Sequence, residues 1–164
     1  MSDDPKVVTD VLEEAHRSFE RGGTPEEGLA ELTEEEAQLK KACRLIAAAQ
    51  TLQDKNGYHT AVVELAFGAI ERSFEFYAIA MSDDAVHDFM DHEYAYQRAF
   101  ELGVISDDLK EDFQALYNEN RAASYYSGRA VTAEQADAML ELAITIHAFL
   151  RDNQRDHFNC LCKN

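Results

Sequence analysis

Chain breakers are nearly missing from this sequence. Of 164 residues only 2 are proline and 7 are glycine, and both prolines, Pro5 and Pro25, come early. Such scarcity favours long helices over the many turns that a sheet-rich fold requires. Apolar residues make up 46% of the chain, enough at this length to bury a core. Tryptophan is absent, so phenylalanine and tyrosine supply the large anchors.

Apolar spacing and capping residues divide the chain into helices. Pro5 suits a first helical position, where its missing N–H costs nothing. Val8, Val11, Leu12, Ala15 and Phe19 then form a stripe that Gly22-Gly23 ends. Residues 1–32 are read as this helix and a linker. Thr33 with Glu36 makes a capping box, opening a helix from Glu34 to Lys55 with Ala42, Cys43, Ile46, Ala49 and Leu52 on one face. Asn56-Gly57 closes it. A third helix is predicted from Tyr58 to Met81, carrying Ala61, Leu65, Ala69, Phe76 and Ile79. Ser82 caps a segment that breaks near Met90 to His92 and stops before Gly103. Ser106 opens a helix through Leu109, Phe113, Leu116 and Tyr117 that ends around Tyr126 to Gly128. Thr132 and Gln135 form a second capping box before a last helix with the stripe Ala136, Met139, Leu140, Ala143, Ile146 and Leu150. Short connections make neighbouring helices antiparallel. The predicted fold is therefore all-α. It is an antiparallel four-helix bundle over 33–152, with an extra N-terminal helix, an interrupted segment between helices three and four, and a flexible polar tail over 153–164.

Asp and Glu number 32 against 15 Lys and Arg, giving a net charge of -17 distributed along the whole chain. Nine of the basic residues are Arg and six Lys. A dispersed acidic surface that prefers Arg to Lys is the pattern of halophilic proteins. It excludes a broad DNA-binding footprint, which needs clustered basic charge. The start of the chain is polar and acidic, with no apolar signal segment following. No apolar run approaches the roughly 18 residues that span a membrane. The expectations are a cytoplasmic location and no membrane partner. Three cysteines, Cys43, Cys160 and Cys162, do not make a disulfide framework.

The metal-like motifs each have a plainer reading. Glu13-x-x-His16 has the spacing of a di-metal ligand pair but lacks the second motif such sites need. His87, Asp88, Asp91, His92 and Glu93 form the densest His and carboxylate cluster; if helical, His87 with Asp91 and Asp88 with His92 would share a face. Capping and solvated surface explain them as well. His157-x-x-Cys160-x-Cys162 offers soft ligands on a segment read as flexible, and Cys43 reads as a small buried hydrophobe. His147 reads as a boundary residue beside the last apolar stripe. No metal and no cofactor is expected. Neither a phosphate loop nor a nucleophile elbow is present.

The remaining signal runs from Asn118 to Gly128. Asn118, Asn120, Arg121, Tyr125 and Tyr126 gather at a helix end. Arg121 and Tyr125, at i,i+4, would lie on one face. A guanidinium can clamp phosphate with paired hydrogen bonds, and tyrosine can stack on a base. The same pattern also suits an Arg–Tyr pair that fixes a helix end or a dimer interface.

Three stretches resemble the HEPN superfamily, the nucleotide-binding domains of higher eukaryotes and prokaryotes. They are the Ala-rich run Tyr58 to Arg72, the polar turn around Asp91-His92-Glu93, and Asn120 to Tyr126 with the following Gln135-Ala136. The resemblance implies a small helical bundle that dimerises. In the family's ribonuclease branch an Arg and a His, with four to six residues between them, act on RNA without a metal. Arg121 matches the Arg, but Tyr126 fills the His position, and tyrosine is a poor proton shuttle near neutral pH. The resemblance therefore implies a non-catalytic module that binds a nucleotide or partners a nucleotidyltransferase, with Arg121, Tyr125, Tyr126, Asn118 and Asn120 at its site. A metal-independent endoribonuclease of toxin type, acting on RNA, and a structural interaction protein without ligand are the alternatives.

Overall fold

In the computed structural model, residues 5–121 and 128–162 are described. They are all-helical, with six α-helices and no strand among the described residues. The chain forms two compact units, Met1–Ala30 and Glu31–Asn164. The first holds α1 (Pro5–Arg21), whose residues Val8, Val11, Leu12 and Phe19 are exposed.

The second unit begins with α2 (Glu34–Lys55). The Thr33 side chain accepts from the Glu36 N–H, and the Glu36 carboxylate accepts from the Thr33 N–H at 3.1 Å. The turn to α3 (His59–Met81) uses Asn56 and Gly57, both at positive φ. At Gly68 a Cβ would come within 3.3 Å of the Leu45 Cδ1, so this glycine lets α3 lie close against α2. A 3₁₀ turn (Val86–Phe89) follows, then α4 (His92–Glu101), α5 (Asp107–Ala115), a π-helical turn (Leu116–Arg121) and α6 (Ala133–Asp152).

The core lies along α3, which packs against α2, α4 and α6. Val62, Ala66, Phe67, Ile70, Phe74 and Phe76 are buried from that helix. Phe74, Tyr96 and Phe113 form a ring cluster that joins α3, α4 and α5, with centroids 5.1 to 5.5 Å apart. No helix of the described residues is long and apolar enough to cross a membrane.

Two segments depart from the sequence reading. The fifth helix is shorter than expected: α5 stops at Ala115, and the hydrogen-bond spacing widens into the π turn that carries Arg121. The C-terminal segment, expected to fray, returns to the helices. Gln154 is buried, the Phe158 ring meets Phe76 edge-on at 5.7 Å, and Cys160 reaches Cys43. Contacts far away in sequence override the local polarity of this stretch.

Candidate functional sites

The π turn brings Arg121 over the middle of α3. Its Nη1 donates to Glu71 Oε1 at 3.0 Å and to the Tyr117 hydroxyl at 3.1 Å, while its Nε lies 3.5 Å from Glu64 Oε2. Glu64 and Glu71 are seven residues apart, two helical turns, and so share one face of α3. The guanidinium carbon stands 5.1 Å from the Tyr117 ring centroid and 5.9 Å from that of Phe67.

His92, the first residue of α4, reaches the same carboxylate. Its Nδ1 lies 3.2 Å from Glu71 Oε1, and its ring lies 5.0 Å from that of Tyr117. Glu71 is buried, whereas the His92 side chain is half-exposed. Nδ1 is thus the ring nitrogen that faces Glu71. Burial of the Arg121 guanidinium disfavours its charge, yet Glu71, Tyr117 and Glu64 together raise its pKa further. Burial likewise raises the Tyr117 hydroxyl, partly opposed by Arg121. Arginine and histidine thus converge on one buried carboxylate, with Tyr117 accepting from the arginine beside them.

Of the residues singled out in sequence, Asn118 joins this neighbourhood by donating to Glu93 Oε1 at 3.0 Å. Asn120 is exposed. Tyr125 and Tyr126 lie outside the described residues. Among the described residues, Arg121 bonds the hydroxyl of Tyr117, four residues before it. The face-sharing pairs that a continuous helix would give the His87 to Glu93 cluster do not form, and capping accounts for Asp88 and Asp91. Asp88 accepts from the Ala85 N–H, Asp91 caps α4 through the Glu93 N–H, and only His92 turns to Glu71. The 3₁₀ turn breaks the helical phase between them.

A second cluster forms at the C-terminal segment. Cys43 of α2, His147 of α6, Cys160 and Cys162 bring four ligand atoms within 4.8 Å of one another. His147 is buried, a ligand candidate rather than the boundary residue the stripe suggests. All three cysteines are free. Hydrogen bonds from Cys162 and Cys43 outweigh burial and hold the Cys160 thiol far below its usual range. Burial disfavours the charged imidazole of His147, but its bonds to Cys160 and Cys43 raise it to about 9.

Residues 3–162 match a domain family of unknown function, DUF8154. The chain belongs to the DUF8154 family. No curated protein and no solved structure matches it. The DUF8154 match takes in Arg121, Glu71 and His92 as well as the three cysteines and His147.

Sequence reading found Arg121 but missed Glu71 and Glu64, although three glutamates, Glu64, Glu71 and Glu75, on a largely apolar helix are a signal. A carboxylate costs too much to bury without a partner, so each demands one. Cys43 sits on an apolar stripe, where packing alone accounts for it, and His147 sits beside one, where a boundary position does.

Proposed function

We propose that this DUF8154 chain is a non-catalytic binding module of HEPN type, whose Arg121 face receives a phosphate-bearing ligand such as a nucleotide, or a nucleotidyltransferase partner. In this reading residues 33–152 form an antiparallel four-helix bundle, two copies pair with Arg121 near their interface, and the acidic surface suits a salt-rich cytoplasm. The observation that carries the reading is the convergence of Arg121 and His92 on Glu71, with Tyr117 bonded to Arg121 and its ring beside His92, at a π turn. Such turns occur often at functional sites. The nearby carboxylates limit affinity, because they oppose the approach of an anion.

The test is calorimetry with ATP and AMP in molar KCl. Wild type should bind, and Arg121→Ala should weaken binding by ten- to a hundredfold, matching about 1.5–3 kcal/mol for a charged contact. Absence of any heat with either nucleotide would sink the nucleotide reading.

One observation favours a second reading, the metal-independent ribonuclease. His92 supplies near Arg121 the imidazole that the sequence lacks at Tyr126. Cleavage of RNA without added metal, lost in His92→Gln and in Arg121→Ala, would replace the first reading with this one.

A further inference from the structure

We propose that Cys43, His147, Cys160 and Cys162 form a structural zinc site that ties the C-terminal segment to α2 and α6. Three thiols and one imidazole are a closed ligand set of the kind that holds structural Zn²⁺. Soft sulfur donors in this number select zinc over the hard divalent ions.

The geometry fits. His147 Nε2 lies 3.4 Å from the Cys43 Sγ, 3.3 Å from Cys160 and 3.2 Å from Cys162. The Cys43 and Cys160 sulfurs are 2.9 Å apart. Usual zinc bond lengths give a tetrahedron with edges of roughly 3.5–3.8 Å, so an ion opens the shortest edge by less than about 1 Å. A disulfide would instead need the two sulfurs at about 2.05 Å, and would leave Cys162 and His147 without a role.

The surroundings of the ligands point the same way. Ser73, fully buried on α3, donates its hydroxyl to the Ala69 carbonyl at 2.7 Å. Its oxygen, 2.9 Å from His147 Nδ1, can then only accept. A proton therefore sits on Nδ1, and Nε2 is the nitrogen that faces the three sulfurs. Ligating histidines are oriented by this kind of hydrogen bond. The Cys162 N–H lies 3.3 Å from the Cys160 Sγ and stabilises a thiolate there. Arg151 also interacts with Cys160. Three thiolates with Zn²⁺ carry one net negative charge, which this guanidinium offsets. A cavity of about 380 Å³, walled by Cys43, His147, Cys162 and Arg151, gives an ion a way in. On binding, the protons still held by the thiols and by His147 Nε2 leave to solvent, and the three sulfurs and Nε2 each give a lone pair to the ion; no oxidant or reductant is involved.

The test uses the full chain, purified under reducing conditions, stripped with chelator and titrated with Co²⁺ and then Zn²⁺. Wild type should take up about one ion per chain, with the visible bands of tetrahedral cobalt and sulfur-to-cobalt charge transfer from three thiolates. Cys162→Ser should lower the charge-transfer intensity by a third. Ser73→Ala, a positioning change, should weaken uptake about 10–100-fold while leaving the thiolate count at three. His157→Ala, outside the cluster, should change neither. His147→Ala and Cys43→Ser touch buried positions, so the partly exposed Cys162 and the unligated Ser73 carry the test if those variants fail to fold. The proposal is overturned if reduced wild type binds no cobalt. It is equally overturned if bound cobalt shows no sulfur charge transfer, or if His157→Ala removes a ligand.

Discussion

Glu75 lies buried on α3, one turn beyond Glu71, and accepts from both Arg72 and Gln38. Burial is the largest influence and raises its carboxyl above the ordinary 4.5; Arg72 opposes this and Glu71 adds to it. The folded chain therefore binds this proton more readily than the unfolded chain. The stability it contributes is present below pH 4.5 and is lost as pH rises through the raised value. Glu75→Gln keeps the shape and cannot ionise. Its melting temperature relative to wild type should climb as pH rises above 4.5, then level off once Glu75 is fully ionised. A difference that stays constant across that window would refute the account. Arg121 was legible in sequence because an arginine among tyrosines and asparagines is conspicuous. Its partner Glu71 lies 50 residues away, and Cys160 lies 117 residues from Cys43. Pairings at such separations leave no periodic trace, so only the fold brings them together.

At the scale of elements, local signals were clear wherever capping chemistry sets the boundary. Thr33 and Thr132 open α2 and α6, and in each the N3 side chain returns to the cap N–H. Ser106 caps α5 through the Leu109 N–H at 3.2 Å. Helix ends were less legible where tertiary contacts decide them. α5 gives way to a π turn where Tyr117 and Arg121 meet α3, and residues 153–162 stay docked through Phe158 and the cysteines. Propensity argues for a continued helix in the first case and for fraying in the second; packing reverses both. The caps make a direct prediction. Thr33→Ala or Thr132→Ala leaves one first-turn N–H without its acceptor and should cost about 1 kcal/mol each. Denaturant unfolding should show a lower midpoint with an unchanged slope, since neither change alters the surface exposed on unfolding. An unaltered midpoint in both would mean that water replaces these caps at no cost.

For the whole molecule the dominant quantity is charge. The chain carries -17, and among the described residues only Glu71 and Glu75 are buried acids. The rest of the negative charge sits in or near solvent, and much of the compensation is short-range. Arg17 pairs with Glu14, Lys110 with Asp107 and Arg98 with Glu101, each within one helical turn. Such exposed pairs contribute little individually. They also cancel charge locally, without relieving repulsion between one helix and the next. Compaction brings these like charges closer than in the unfolded chain, so repulsion opposes folding at low ionic strength. The Debye length falls from about 10 Å at 0.1 M salt to about 3 Å at 1 M, shorter than the distance between neighbouring helix axes. Most of that opposition should therefore be removed by about 1 M KCl, with smaller gains beyond it. The Glu71 cluster is buried and screened much less, so its Arg121 contacts should persist through the series. Thermal melts from about 0.1 to 3 M KCl should show the melting temperature rising steeply below about 1 M and more gently above. A flat or falling curve would show that the distributed acidic charge does not govern the stability of this fold.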